Sequence, residues 1–297
     1  MADKNNDSIY HYTNLSGLKG ILSNKTIWLT HFNFLNDPFE FKCQHLSSRK
    51  DITLNLLELL PSSFVPFIIS FSLDFDSYPL WSNYTNHYGF NIEFDIQKLV
   101  ANTAKFNSKY CDNLFPNYFR NNIMSYDIDY QKKFINEITD KNLPIWKKII
   151  SDLIENNPEF KAKNVNDVMK IMAENKKYAE EINSNPNFIS IFKNIAELFN
   201  SVMFFKPKSL CTEKEYRFTF IAHVKHVHDF LKFRQNNNLL IPYIEIPINL
   251  DDKKLNPIKS ITLGPKSKSK ISRNSIELFR DSLKLDFKIH ESDINLR

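Results

Sequence analysis

Glycine is scarce in this sequence: 297 residues contain only four, where an average chain of that length has about twenty. Neither G-x-G-x-x-G nor G-x-x-x-x-G-K-[ST] occurs. Folds that cradle phosphates in glycine-rich loops are therefore excluded. Cysteine is also sparse. Cys43, Cys111 and Cys211 are odd in number and far apart, so neither a disulfide framework nor a C-x-x-C metal site is expected. A reducing, cytoplasmic compartment fits best. The first seven residues are polar, and no apolar h-region marks a signal peptide. No uncharged apolar run reaches the roughly 18 residues a membrane helix needs. No G-x-S-x-G elbow is present, which removes the usual serine-hydrolase signature.

What is present is a globular composition, 42% hydrophobic and 25% charged. Phenylalanine (26) and tyrosine (12) supply much of the apolar area, and each such ring buries a large surface. The formal charge of +5 permits an anionic partner such as nucleic acid or a dinucleotide without requiring one.

Three zones follow along the chain. Residues 8–99 carry short apolar runs. Ser8 to Thr13, Thr26 to Thr30, Phe67 to Ser72 and Tyr88 to Phe94 read as strands. Asn14 or Ser16 can cap a short helix with Leu18, Ile21 and Leu22 on one face. Residues 100–205 read as long polar helices with apolar positions at helical spacing, among them Phe134, Ile138, Val165, Met169, Phe188 and Ile195. Pro144, Pro158 and Pro186 punctuate them as helix boundaries do. Residues 208–297 return to strands at Glu215 to Ile221, Tyr243 to Ile248, Ile258 to Leu263 and Leu285 to Ile289, with a helix from Lys270 to Leu283. Strand-rich zones flanking a helical stretch predict one α+β domain over 1–297, with zones 8–99 and 208–297 as its core and 100–205 as a helical insertion.

Several groups could carry chemistry. If Glu213 to Arg217 are all extended, Glu213, Glu215 and Arg217 share a face, with Tyr216, Phe218 and Phe220 opposite. That face is either a carboxylate paired with an arginine, ready to stabilise a cation, or a solvated ion-pair ladder on an edge strand. His11, at the end of the first strand, is either structural or a ligand-binding group. Asn36-Asp37-Pro38 with Glu40 reads as a capped turn or a ligand-contacting loop. Trp81, Tyr84 and Tyr88 either stack on a planar ring or pack a core. His223, His226 and His228 match no zinc spacing, so no metal is expected. Lys266, Lys268, Lys270 and Arg273 form a solvated loop or contact phosphate.

Taken in order, Ile9-Tyr10-His11-Tyr12-Thr13, Leu18, Ile21-Leu22, Ile27-Trp28-Leu29, Leu35 to Pro38, Glu40, Ser70-Phe71-Ser72, Trp81, Tyr84, Gly89, Glu213, Glu215-Tyr216-Arg217 and Leu263-Gly264-Pro265 resemble the bacterial domain-of-unknown-function family 2971. That resemblance runs from residue 9 to at least 265. A wider one is to ADP-ribosyltransferases, including the DarT-type toxins. It rests on the first-strand His-x-Thr followed by a short helix and a second strand. It implies a split β-sheet core of that superfamily, NAD as substrate and no metal. Under it His11 is the ribose ligand, Tyr12 gives backbone contacts and Thr13 assists. Tyr84 or Tyr88 stacks on nicotinamide, with Trp81 in the same cluster. Glu215 is the catalytic glutamate, Glu213 orients the acceptor and Arg217 lines the NAD site. Asn36, Asp37 and Glu40 are substrate-side candidates. Enzymes of that superfamily with Glu-x-Glu begin with arginine where this chain has His11, so the pairing is mixed.

The expectation is an enzyme that transfers ADP-ribose to a nucleic acid, nucleotide or protein, as a toxin or in abortive-infection antiviral defence. A defence or antitoxin protein is an expected partner, and no membrane is. The alternative is a nucleic-acid- or nucleotide-binding sensor without catalysis. A third reading is a hydrolase using Glu213, Glu215 and Asp37 as acid and base.

Overall fold

The structure, a computed structural model, describes residues 7–35, 64–110, 118–156, 197, 200–223, 227–236 and 238–296. The chain divides into two compact units. The first holds Met1–Asn36, Val65–Met124 and Ser209–Arg297; the second holds Asp37–Phe64 and Ser125–Lys208.

The first unit is a mixed α+β assembly. Its strands are β1 (Ser8–Thr13), β2 (Thr26–His31), β3 (Phe64–Ser72), β4 (Phe90–Asp95), β5 (Tyr118–Ile123), β6 (Glu215–His223), β7 (Leu231–Asn236), β8 (Leu239–Pro247), β9 (Ile258–Leu263) and β10 (Lys288–Glu291). They form one sheet in the order β10-β9-β4-β1-β3-β2-β8-β7, with β6 on β3 and β5 on β6. The sheet is mostly antiparallel; β9 and β10 run parallel. Segment 100–205 is thus not helical throughout, since β5 joins the sheet.

Alternation explains which face is buried. Ile9, Ile27, Leu29, Phe67, Phe71, Ile92, Phe94, Phe218, Phe220, Ile244 and Ile246 belong to one core. Phe71 packs edge-on against Phe94 and Phe218 at 5.5 and 5.6 Å between centroids, the arrangement ring quadrupoles favour. Helix α1 (Leu15–Asn24) covers this face with Leu18 and Leu22. Burial of each such leucine contributes about 1.5–3 kcal/mol. The Asn14 side chain caps α1 by accepting from the Gly17 amide at 2.9 Å.

Helix α2 (Tyr78–Thr85) builds a second cluster, in which Tyr12, Leu80 and Trp81 are buried together. A Cβ at Gly264 would meet the Gly89 and His87 carbonyls at 2.9 Å and the Trp81 ring at 3.0 Å. One at Gly89 would press on the Thr13 carbonyl and the Thr85 side chain. Glycine serves here for close approach. Among the described residues the left-handed backbone positions belong to Lys25, Asn86, His87, Lys214 and Lys284, and no glycine has a positive φ. Helices α3 (Ile96–Tyr110) and, later in the chain, α5 (Lys270–Ser282) add Leu99, Phe106 and Ile276 to the main core.

In the second unit the helix α4 (Ile128–Asn156) buries Ile135 with Val202, beside Phe134, Ile138 and Phe205. Pro144 lies inside α4 and does not end it. Proline removes one amide donor, so a helix of this length loses one bond and continues. Pro158, Pro186 and the apolar positions at 165–172 and 188–196 lie outside the described residues. No helix among the described residues is long and apolar enough to cross a membrane.

His31 gives a test of this packing. Its Nδ1 accepts from the Asn33 amide at 3.2 Å, and its ring stacks on Phe32 at 4.9 Å. Burial pushes its pKa down to about 4 from 6.5. A depressed histidine pKa means the unfolded chain takes up the proton first, so this stability is fully present above pH 6.5 and is lost as pH falls toward 4. The melting temperature is expected to fall across that window, and His31→Gln is expected to flatten the fall. An unchanged slope in thermal melts of the variant would assign the loss elsewhere.

Candidate functional site

β3 is apolar except for Ser70 and Ser72 near its end. Tyr10 of β1 pairs with Ser72, while Thr30 and His31 of β2 pair with Ile68 and Phe67. Ser70 therefore stands where β3 passes from one neighbour to the other. Its carbonyl is taken by a side chain: His11 Nδ1 lies 3.1 Å from the Ser70 oxygen. A carbonyl only accepts, so Nδ1 carries the proton and, in the neutral ring, Nε2 is an acceptor. Burial holds the His11 pKa below the ordinary histidine value; the bond to Ser70 opposes this, and the positive charge of Arg234 adds a smaller push downward.

The Ser70 hydroxyl donates to Glu215 Oε1 at 2.5 Å. The same oxygen accepts from Arg217 Nε and Nη2, each at 2.8 Å. One residue thus ties His11 to Glu215, which keeps His11 Nδ1 within about 10 Å of the carboxylate. Glu215 and Arg217 are 2% and 1% exposed. β6 lies between β3 and β5, so this is a buried pair and not a solvated ladder on an edge strand.

The expected alternation fails at one position. Lys214 adopts φ 42°, and Glu213 ends a short 3-10 turn instead of lying on the strand. Glu213 contributes its backbone carbonyl, which accepts from Ser72 Oγ at 2.8 Å. The left-handed residue breaks the two-residue period, so Glu213 and Glu215 do not share a strand face.

The other described candidates make contacts of their own. Trp81 is fully buried, donates to Asp76 Oδ1 at 2.7 Å and packs edge-on against Tyr12 at 4.8 Å. A ring so enclosed packs a core, the second of the two readings open to it. The Tyr12 hydroxyl donates to the Asp74 carbonyl at 2.8 Å and accepts from the Ser77 amide at 2.9 Å. The Thr13 side chain lies against Gly17. Tyr84 and Tyr88 are exposed, and Lys266 Nζ sits 5.3 Å from the Tyr88 ring centre. Asn36, Asp37 and Glu40 lie outside the described residues, as does His226. Two members of the basic run are engaged within the protein by polar contacts. Lys268 donates to the Ser292 and Ile294 carbonyls, and Arg273 pairs with Glu291 at 3.1 Å.

An open cavity of about 410 Å³ lies elsewhere in this unit, lined by Glu93, Lys98, Lys259, Lys288 and His290 among others. Its Glu93 is held by the Ser8 and Ser260 hydroxyls at 2.7 and 2.6 Å. It shares no residue with the His11–Ser70–Glu215 group. Among the described residues no cluster of three metal-ligating side chains occurs.

Ser70 is absent from the site residues expected on sequence, although two hydroxyls closing an apolar strand are a readable signal. No curated protein and no solved structure matches the chain. A family model does, and its matched stretch takes in Trp81, Glu215 and the whole of 100–205, where none of the residues quoted for that resemblance falls. Over residues 80–218 the chain is similar to the family described as "Protein of unknown function (DUF2971)".

Proposed function

We propose that this protein cleaves NAD and transfers ADP-ribose to an acceptor, on an ADP-ribosyltransferase-like split sheet. One observation carries the reading: Ser70 touches both His11 and Glu215. Neutral His11 offers Nε2 to a ribose hydroxyl. Glu215, with Arg217 as its counter-charge, faces the positive charge that develops on the ribose as the glycosidic bond breaks. NAD is the substrate, and the chemistry needs no metal. A nucleic acid, nucleotide or protein can be the acceptor; the basic balance favours the first two. A toxin or phage-defence role, with an antitoxin partner, follows from the same resemblance.

The test is release of nicotinamide from labelled NAD with DNA, RNA and protein acceptors present. Wild type is expected to release it, and His11→Ala to slow release by about 10- to 100-fold, as expected for one lost hydrogen bond in the transition state. Wild type that neither binds NAD nor releases nicotinamide rules the reading out.

The near-complete burial of Glu215 and Arg217 favours a second reading, a nucleotide- or nucleic-acid-binding module without catalysis. Salt-dependent nucleic-acid binding that survives Glu215→Gln, without NAD turnover, would identify it.

A further inference from the structure

The sheet face that carries the Ser70 hydroxyl continues across β2, β8 and β7. Thr30 pairs with Ile68, two residues from Ser70. Thr30 pairs with Tyr243, Trp28 with Glu245, Lys232 with Tyr243 and Arg234 with Ile241. Residues directly opposite share a face. Trp28, Thr30, Lys232, Arg234, Tyr243 and Glu245 therefore line one surface, opposite the core residues Ile27, Leu29, Ile244 and Ile246. From strand spacing, Thr30 lies about 8 Å from Ser70.

Arg234 on this face is half-buried and, among the described residues, forms no ion pair with a carboxylate. Its Nη2 donates to Thr30 Oγ1 at 3.1 Å, and its guanidinium carbon stands 5.9 Å from the Trp28 ring centre. Its Nε is buried with no hydrogen-bond partner, and so is Trp28 Nε1. The acid on this face, Glu245, is already taken by Lys232 Nζ at 2.5 Å and by the Tyr243 hydroxyl at 3.3 Å. A partly desolvated guanidinium without a counter-ion is unfavourable, and each unmet buried donor asks for an acceptor. Two N–H donors and one uncompensated positive charge together call for an anion with several acceptor oxygens. Arginine's planar fork suits phosphate in particular.

We propose that Arg234, with Trp28 and Thr30, is the phosphate-binding part of this site and holds the pyrophosphate of the dinucleotide whose ribose meets His11. This rests on the NAD reading, and it accounts for how a chain without a glycine loop would hold phosphates. The positive charge of Arg234 is also one of the influences that lower the His11 pKa.

The experiment is calorimetric titration of wild type, Arg234→Gln and Arg234→Lys with ADP-ribose, nicotinamide riboside and inorganic pyrophosphate, with melting temperatures checking folding. ADP-ribose carries two phosphates and nicotinamide riboside none. Arg234→Gln is expected to weaken ADP-ribose by about 10- to 100-fold, as for a lost charged hydrogen bond, and to leave nicotinamide riboside unchanged. Arg234→Lys is expected to fall between, because it keeps the charge and loses the fork. Equal ADP-ribose affinity in wild type and Arg234→Gln overturns the proposal while the NAD reading stands. If wild type binds neither ADP-ribose nor nicotinamide riboside, the NAD reading fails. Pyrophosphate then decides alone: binding lost in Arg234→Gln keeps the anion site, and no Arg234-dependent binding removes it.

Discussion

Arg217→Met is expected to destabilise the sheet unit by about 3–5 kcal/mol, as removal of one member of a buried ion pair does. The Glu215 carboxylate is 2% exposed, and water cannot replace the guanidinium that donates to it twice on one oxygen. Methionine fills a similar length and supplies no donor. In a unit of this size the melting temperature should drop by roughly 10 °C or more. Adding Glu215→Leu should restore most of the loss, because the stranded charge is then gone. Urea or thermal denaturation of the three variants measures both effects. A loss below about 1 kcal/mol for Arg217→Met would mean that solvent reaches the pair.

Glu215→Gln is expected to have the largest effect on chemistry. Glutamine keeps the shape of the side chain and an oxygen for Ser70 Oγ and Arg217, but it leaves the Arg217 charge buried without its counter-ion, so activity is compared below the variant's own melting temperature. It removes the negative charge that would face the ribose cation. Nicotinamide release should fall by about 100- to 1,000-fold, as for loss of a preorganised electrostatic group, with NAD affinity nearly unchanged. Arg217→Met assayed below its melting temperature is the control: a similar fall there would show that the pair's geometry, and not the carboxylate's charge alone, is required. Unchanged release by Glu215→Gln would remove Glu215 from the mechanism.

Much of the sheet is legible in the sequence where strands are half or fully buried. Ser8–Thr13 and Ile258–Leu263 match their expected bounds, and helix α5 ends one residue early. Their alternation or continuous apolar run is set by burial, which sequence pattern reads directly. β5 and β7 escape notice for the converse reason. Tyr118–Ile123 contains Arg120, Asn121 and Asn122, and Leu231–Asn236 stands at a sheet edge with an exposed Phe233. Neither needs a regular apolar face. Of the candidate site, His11, Glu215 and Arg217 stand out by type and spacing. Glu213 misleads because a single φ at Lys214 is not written in residue periodicity. Ser70, Trp28 and Arg234 are joined only by strand pairing, through β1, β3 and β2 on one side and β2, β8 and β7 on the other. Such long-range registers lie beyond a local pattern.

The glycines and the left-handed residues reverse a common rule of protein engineering. Turns are usually where glycine can be moved about freely, and cores are where it is rare. Here the crowded crossing beneath Trp81 needs Gly89 and Gly264 for lack of room, while left-handed turns are made by Lys25, Lys214 and Lys284. A side chain in that conformation costs about 1–2 kcal/mol. The molecule therefore carries its spare stability in its turns, at exposed or half-buried lysines. Directed evolution toward a hardier protein has its openings there, and its forbidden positions at the two glycines.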